Sequence, residues 1–307
     1  MKICVTGGAG FIGSYVVDTL AREGHEVFVI DDFSTGRVEN KNDAVTYYPF
    51  DVRSTETKDL ISSQKPEAIF HLAAQINVRT SVENPYEDAS VNILGSLNVL
   101  EGGRGAGNKP KFIFISTGGA IYGDTEQIPT GEECTPKPIS PYGLAKYVTE
   151  RYLEQYQDLH GIPFVILRLA NIYGPRQNIE GEAGVVAIFI HQLLDGTQPI
   201  IFGAGKQTRD FVFVEDVARA AVAALSQEKN GPYNISTSEE TSVNDLFDMI
   251  QVSCGTSFEK IYAPSRSGDV MRSALSNTKA REDLGWEPEV GISEGIEKTV
   301  QWFSSNR

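Results

Sequence analysis

Through the first half of the chain, short apolar runs alternate with longer stretches in which apolar residues return every three or four positions. The runs Lys2 to Thr6, Glu26 to Ile30, Val45 to Pro49, Ala68 to Leu72, Lys111 to Ser116 and Pro163 to Leu169 are predicted strands. Between the first two, Ile12, Val16, Val17 and Leu20 share one helical face, and Gly24 supplies a residue on which that helix can stop. Strand and helix repeated in this way put parallel strands in one sheet with helices over its faces. A Rossmann-type doubly wound α/β fold is therefore predicted for residues 1–174.

After Gly174-Pro175 the texture shifts to glycine-punctuated pieces, among them Gly181 to Gly184 and Gly203-Ala204-Gly205. A smaller C-terminal α/β lobe is predicted over residues 175–307. Phe211 to Val214, then Val217 to Leu225, then Tyr233-Asn234-Ile235 read as strand, helix and strand that go back to the main sheet. Residues 211–236 are accordingly assigned to the first unit, which makes the second lobe discontinuous.

Composition narrows the function classes. With 307 residues, 40% hydrophobic and 22% charged, the chain reads as an ordinary soluble protein with room for a large core. The formal charge of -14 creates a field that repels polyanions, so neither nucleic acid nor an anionic membrane is an expected partner. An anionic substrate must then be held by a few placed arginines. Cys4, Cys134 and Cys254 are odd in number, scattered and without metal-ligand spacing, so neither a disulfide framework nor a metal is expected, and a reducing cytoplasm is. Met1-Lys2-Ile3-Cys4-Val5 runs straight into a strand, leaving no room for a signal peptide, and no apolar stretch is long enough to span a bilayer.

Two motifs carry chemistry. Thr6-Gly7-Gly8-Ala9-Gly10-Phe11-Ile12-Gly13 lies between a predicted strand and a predicted helix, where glycines let backbone N–H groups and a helix N-terminus meet a pyrophosphate. Gly7 would permit the tight turn, Gly10 the close approach and Gly13 the helix packing. Asp31 ends the second strand about 20 residues further on, where a carboxylate accepts from both ribose hydroxyls of an adenosine and repels a 2′-phosphate. Asp32 follows it, and no arginine stands at the strand end itself, so NAD is expected over NADP, with Arg37 close enough to weigh on the other side. Asp51, after the third strand, is placed for the adenine edge, and Leu72-Ala73-Ala74 offers small side chains where the backbone must pass near the cofactor. Taken singly, each aspartate suits a solvated turn or a helix cap equally well.

The second motif is Tyr142 and Lys146, one helical turn apart, with Pro141 at the helix start. A phenol acts as a base near neutral pH only if its anion is stabilised, and an ammonium on the same face beside an oxidised nicotinamide does this. Alone, the pair could be a core tyrosine and a solvated lysine; together with the glycine run it points to an enzyme that moves hydride.

With the glycine run, Asp51-Val52, His71-Leu72-Ala73-Ala74, Ser116-Thr117, Tyr142 to Lys146 and Asn171 in this order, the chain resembles the extended short-chain dehydrogenase/reductase family, nearest to its nucleotide-sugar 4-epimerases. The resemblance runs through the second half, in Thr208-Arg209-Asp210-Phe211, Val214 to Val217 and Arg266-Ser267-Gly268-Asp269. It implies that Tyr142 is the base, that Lys146 binds nicotinamide ribose and lowers the phenol pKa, and that Thr117 bonds the reacting oxygen. Because Gly118 aligns with the usual hydroxyl position, Thr117 must reach in from one residue earlier, or Ser116 substitutes. For NAD the resemblance implies contacts from Gly7, Gly10, Phe11, Ile12, Gly13, Asp31, Asp32, Ser34, Thr35, Gly36, Asp51, Val52, Leu72, Ala73, Ala74, Gln75, Asn92 and Ser116, beside Tyr142 and Lys146.

The implied reaction inverts C4 of a UDP-hexose through a transient 4-keto sugar, without net use of cofactor. Asn171, Arg209 and Arg266 are implied on the diphosphate and Asp269 on the uridine ribose, the planar guanidinium fork suiting phosphate. Gly118, Gly119 and Ala120 stand where related dehydratases and decarboxylases carry acids, which favours redox-neutral epimerisation. Ser273 aligns with a pocket position where a small residue admits 2-acetamido sugars, so UDP-N-acetylglucosamine is an expected substrate beside UDP-glucose. A uronic-acid epimerase, using Arg79 or Arg176 for the carboxylate, stays open, as do a dehydratase or reductase and a non-catalytic NAD-binding regulator. Apolar faces near Val91, Leu94 and Asn98 and near Val148, Tyr152 and Tyr156 imply a homodimer.

Overall fold

The computed structural model describes residues 1–179, 184–265 and 270–306; Gly181 and the implied ligands Arg266 and Asp269 lie outside them. The first half runs β1 (Lys2–Thr6), α1 (Phe11–Arg22), β2 (Glu26–Ile30), β3 (Thr46–Tyr48), α2 (Thr55–Gln64), β4 (Ala68–His71), α3 (Val78–Glu83), α4 (Pro85–Ala89), a π-helical turn Ser90–Gly95, and α5 (Ser96–Ala106). It continues through β5 (Lys111–Thr117), α6 (Gly118–Ile121), α7 (Pro141–His160) and β6 (Phe164–Leu169). The second half comprises β7 (Asn171–Tyr173), α8 (Val185–Leu194), β8 (Ile200–Phe202), β9 (Thr208–Arg209), β10 (Phe211–Phe213), α9 (Val214–Ala223), β11 (Gly231–Ile235), β12 (Thr241–Ser242), α10 (Val243–Cys254), β13 (Ile261–Ala263), α11 (Thr278–Leu284) and α12 (Ile292–Ser305).

Seven parallel strands form the main sheet in the order β11-β6-β5-β4-β1-β2-β3. The order turns back between β1 and β4, the place where an open α/β sheet forms a crevice at its carboxyl edge. Because side chains alternate along a strand, each face claims half of every run. Ile3, Val5, Val29, Phe70, Ile113 and Val165 join one apolar cluster with α1 and α9, while Cys4, Phe28, Ile69, Phe112 and Phe164 join another with α2, α5 and α7. A third cluster, built around Phe189, Phe213, Phe247 and Ile296, packs α8, α10 and α12 on each other. No helix among the described residues is long and apolar enough to cross a membrane.

One expected element differs. The strand at 211–213 does not enter the main sheet but pairs with β7 in a separate two-stranded parallel sheet. Ala170 is the last residue bonded to the main sheet at that end, through its N–H to Ile235 O, and Asn171 N–H turns instead to Asp210 O at 2.9 Å. The chain peels off there and takes β10 with it. β11 does return, as the edge strand beside β6.

Candidate active site

The glycine run forms a turn with almost no spare volume. Gly7 has φ +73°, and a Cβ on it would stand 2.6 Å from Ala73 N. A Cβ on Gly13 would lie 2.0 Å from Gly7 O, and one on Gly10 would lie 3.2 Å from the same oxygen. Gly8 is equally constrained, 2.7 Å from Val29 Cγ1, a requirement that the spacing of the triplet does not reveal. α1 begins at Phe11 on Gly10, with no side-chain cap, so its first N–H groups remain for an anion. Ile12 packs against the first cluster beneath them.

Asp31 is 6% exposed and closes this turn: Oδ2 accepts from Ala9 N at 2.8 Å and Oδ1 from Phe33 N at 2.9 Å. Burial pushes its pKa up, against the two backbone bonds. Each oxygen keeps a second lone pair for a ribose hydroxyl. A Cβ on Gly36 would meet Asp31 Oδ1 at 2.7 Å, so glycine lets that loop pass over the carboxylate. Ser34 and Thr35 form its exposed rim. Asp32 takes the plain role of a turn residue, accepting from Ser34 N at 2.9 Å and Ser34 Oγ at 2.6 Å. Arg37 reaches away, across to Asn178 Oδ1 at 2.7 Å.

Asp51 is engaged by its neighbour: Arg53 grips both carboxylate oxygens, which holds the carboxyl below its usual range, and passes another N–H to Glu87. Val52 is buried under Gly95, whose Cβ would stand 2.8 Å from Val52 Cγ2. Leu72 N and Ala73 N both donate to Thr6 O at 3.1 Å, which seats Leu72-Ala73-Ala74 beside the glycine turn. Gln75 N donates to Asn92 Oδ1 at 2.9 Å, and Asn92 Nδ2 returns to Gln75 O at 2.8 Å. His71, in between, bonds Thr6 Oγ1 at 2.7 Å and Ser96 Oγ at 2.8 Å. Burial first and the Lys146 charge second drive its pKa down to about 3, so it is a neutral strut.

α7 starts on Ser140, whose Oγ accepts from Gly143 N, with Pro141 in the first turn. A Cβ on Gly143 would lie 2.4 Å from Ala120 O, so glycine brings this turn against α6, directly after Thr117. Tyr142 is half-buried here. Lys146 is 4% exposed, donates to Ile115 O at 3.0 Å and lies over the Phe114 ring. Burial lowers its pKa to about 8, opposed by the Asp88 and Glu150 charges.

Ser116 and Thr117 point to different tasks. Ser116 Oγ donates to Glu150 Oε1 at 2.6 Å, joining a buried ion pair in which Arg168 Nη2 meets Glu150 Oε2 at 2.6 Å. Thr117 Oγ1 accepts from Ala120 N at 3.3 Å and its hydroxyl hydrogen is left to donate.

On the substrate side, Asn171 is exposed at the head of β7. Arg209 Nη1 donates to Thr208 O at 2.7 Å and Val270 O at 2.8 Å, which anchors one corner of its guanidinium. Asp210, missed in the sequence as a structural group, accepts from Thr237 N and Oγ1, Ser238 N and Leu275 N, tying β10 to the strand ends around it. Burial pushes its pKa up to about 6. Ser273 is half-buried, two residues before Leu275. Arg79 pairs with Glu83 at 2.9 Å, and Arg176 pairs with Asp18 at 2.8 Å over the Tyr15 ring, so both uronate candidates already have partners.

A dinucleotide fits these residues: a cradle that side chains would fill, uncapped N–H groups at α1, and a buried acid, Asp31, closing the turn. The NAD dependent epimerase/dehydratase family pattern matches residues 3–236. The chain is 44% identical over 309 residues to UDP-glucose 4-epimerase of Mycolicibacterium smegmatis, covering 99% of this chain and 98% of that one. It superimposes on the crystal structure of UDP-glucose 4-epimerase with UDP-glucose from Thermotoga maritima with TM-score 0.97, at 49% identity and 99% coverage of both chains. For the Thermus thermophilus UDP-glucose 4-epimerase complex with NAD, the TM-score is 0.94 at 40% identity, with full coverage of both. Sequence pattern, fold and cofactor cradle agree, and the chain belongs to the NAD dependent epimerase/dehydratase family.

Proposed function

We propose that this enzyme is a UDP-sugar 4-epimerase that interconverts UDP-glucose and UDP-galactose, and their 2-acetamido counterparts. The observation that carries the reading is a tyrosine on the first turn of a capped helix with a buried lysine one turn further on, in a chain whose glycine turn forms a dinucleotide cradle. NAD, when bound, supplies reversible hydride acceptance. Gly7, Gly10 and Gly13 would hold its pyrophosphate with the α1 amides, Asp31 its adenosine ribose, and Lys146 its nicotinamide ribose.

Tyr142 takes the proton of the sugar C4 hydroxyl and returns it after the ring has turned over. The Lys146 ammonium stabilises the phenolate, and the Thr117 hydroxyl bonds the reacting C4 oxygen of the sugar. Gly118, Gly119 and Ala120 place no acid beside the sugar to drive elimination. Asn171 and Arg209 would grip the diphosphate, joined by Arg266, with Asp269 on the uridine ribose. Holding the nucleotide rather than the hexose leaves the sugar free to present its other face. Half-buried Ser273 leaves room for an acetamido group.

The reading extends to a homodimer in a reducing cytoplasm, where three free thiols are at home. Leu94 is 58% exposed and Leu144, on the neighbouring α7, is 51% exposed. Leu144 is not among the expected contact residues; of those besides Leu94, Asn98 donates inward to Val52 O and Ser54 O, and Tyr156 donates to Glu101.

The test is to incubate the purified protein separately with UDP-glucose, UDP-N-acetylglucosamine and UDP-glucuronate and to resolve products by NMR. The galacto isomers of the first two are expected, with almost no build-up of reduced nicotinamide absorbance. Tyr142→Phe is expected to lose most turnover while keeping UDP-glucose binding. Stoichiometric build-up of reduced cofactor would instead mark a dehydrogenase.

A further inference from the structure

Asp88, in α4, is a carboxylate to which the proposed reaction gives no role. It is 1% exposed; Oδ1 accepts from Gln75 Nε2 at 2.8 Å and Asn92 Nδ2 at 3.0 Å, and the buried Oδ2 has no hydrogen-bond partner. A desolvated, half-satisfied carboxylate is unfavourable unless a nearby cation offsets it. Burial raises its pKa, while the bonds from Gln75 and Asn92 and the charge of Lys146 act against that rise.

Lys146 has the complementary problem of a buried ammonium. The two charges act on each other between α4 and α7. Thr149, three residues beyond Lys146 on the same face of α7, donates to Asn92 O at 3.1 Å, and the Asn92 amide is the group that clamps Asp88. The π-helical turn at Ser90–Gly95 puts Asn92 in this position; such turns interrupt a helix where a side chain must be re-aimed.

Other charges around Lys146 are accounted for. Glu150 acts on it from α7 but is closed in the ion pair with Arg168 of β6, and His71 of β4 is neutral. Arg79 and Glu83 of α3 pair with each other, and Glu87 of α4 pairs with Arg53. Tyr142 on the same helix is the phenol that these charges serve.

We infer that Asp88 is the counter-charge of Lys146, a positioning residue, aimed by Gln75 and Asn92, that keeps the lysine cationic in a desolvated site. Its catalytic meaning rests on the reading of Tyr142 and Lys146 as the proton-transfer pair. Without the carboxylate, burial would strip the ammonium of its proton at lower pH and leave the phenolate unsupported.

The Lys146 amine can be titrated by NMR in the full chain with 13C-labelled lysine, with and without NAD, using Lys146→Met to assign its signal. Asp88→Asn keeps the shape and an oxygen for Gln75 and Asn92; it is expected to lower the Lys146 midpoint by about 1 pH unit. Asp88→Ser provides a second neutral form if asparagine does not fold. Gln75→Ala removes one bond to Asp88 but no charge, and is expected to leave the midpoint in place. In Asp88→Asn the alkaline limb of kcat/KM against pH should move down with the amine. An unmoved midpoint in both neutral variants, or an equal fall in Gln75→Ala, overturns the inference. A midpoint that shifts as expected in a protein inert toward UDP-glucose would sink the epimerase reading and uphold the assignment of Asp88.

Discussion

Adjacent hydroxyls at Ser116 and Thr117 look interchangeable in the sequence, but a strand sends neighbouring side chains to opposite faces. Ser116 falls on the face of α7, where Glu150 and Arg168 claim it, and Thr117 falls at the strand end. Thr117→Ala is therefore expected to lower kcat by about 10- to 100-fold, with a stability loss of no more than about 1 kcal/mol from the lost cap of α6. Ser116→Ala should do the reverse, costing about 1–2 kcal/mol in urea unfolding because Glu150 loses a buried donor. The two variants compared in one kinetic and one unfolding series separate the roles. What the sequence could not yield at this scale is which partner each polar group finds: the four bonds into Asp210 come from Thr237, Ser238 and Leu275, far from it in the chain.

Among elements, the glycine turn and its helix were the most legible, because steric need leaves a visible residue type. Gly13 is the clearest case, with the Gly7 carbonyl where its Cβ would go. Gly13→Ala must open the turn, and calorimetric titration is expected to show NAD affinity down by at least tenfold, with a stability loss of about 1–3 kcal/mol by thermal melting. The predicted strands also stand within a residue or two of the observed ones, since runs buried on both faces of a parallel sheet are apolar throughout. Less was legible where local pattern carries no partner information. β10 looks like any buried strand, and only the turn-off at Ala170 sends it to β7. The π-helical turn at Ser90–Gly95 was not read from the sequence.

At the scale of the whole molecule, surface and charge set the expectations. The exposed leucines of α7 and of the π-helical turn beside it predict association, and Leu94→Glu combined with Leu144→Glu is expected to move sedimentation from dimer to monomer at micromolar concentration. A wild-type protein that already sediments as a monomer would remove that part of the reading. The net charge of -14 says which partners to leave out but not which sugar to choose, and two of the implied uridine-diphosphate ligands, Arg266 and Asp269, fall outside the described residues.

The position of β11 at the sheet edge has a consequence for biogenesis. The strand that covers β6 is not made until residues 231–235 leave the ribosome, some sixty positions after β6 itself. During that interval the growing chain carries an open row of amides and carbonyls along an apolar ribbon, the surface on which nascent polypeptides stick to one another. Every newly synthesised copy passes through this exposure, and a chaperone that shields strand edges would act on it there.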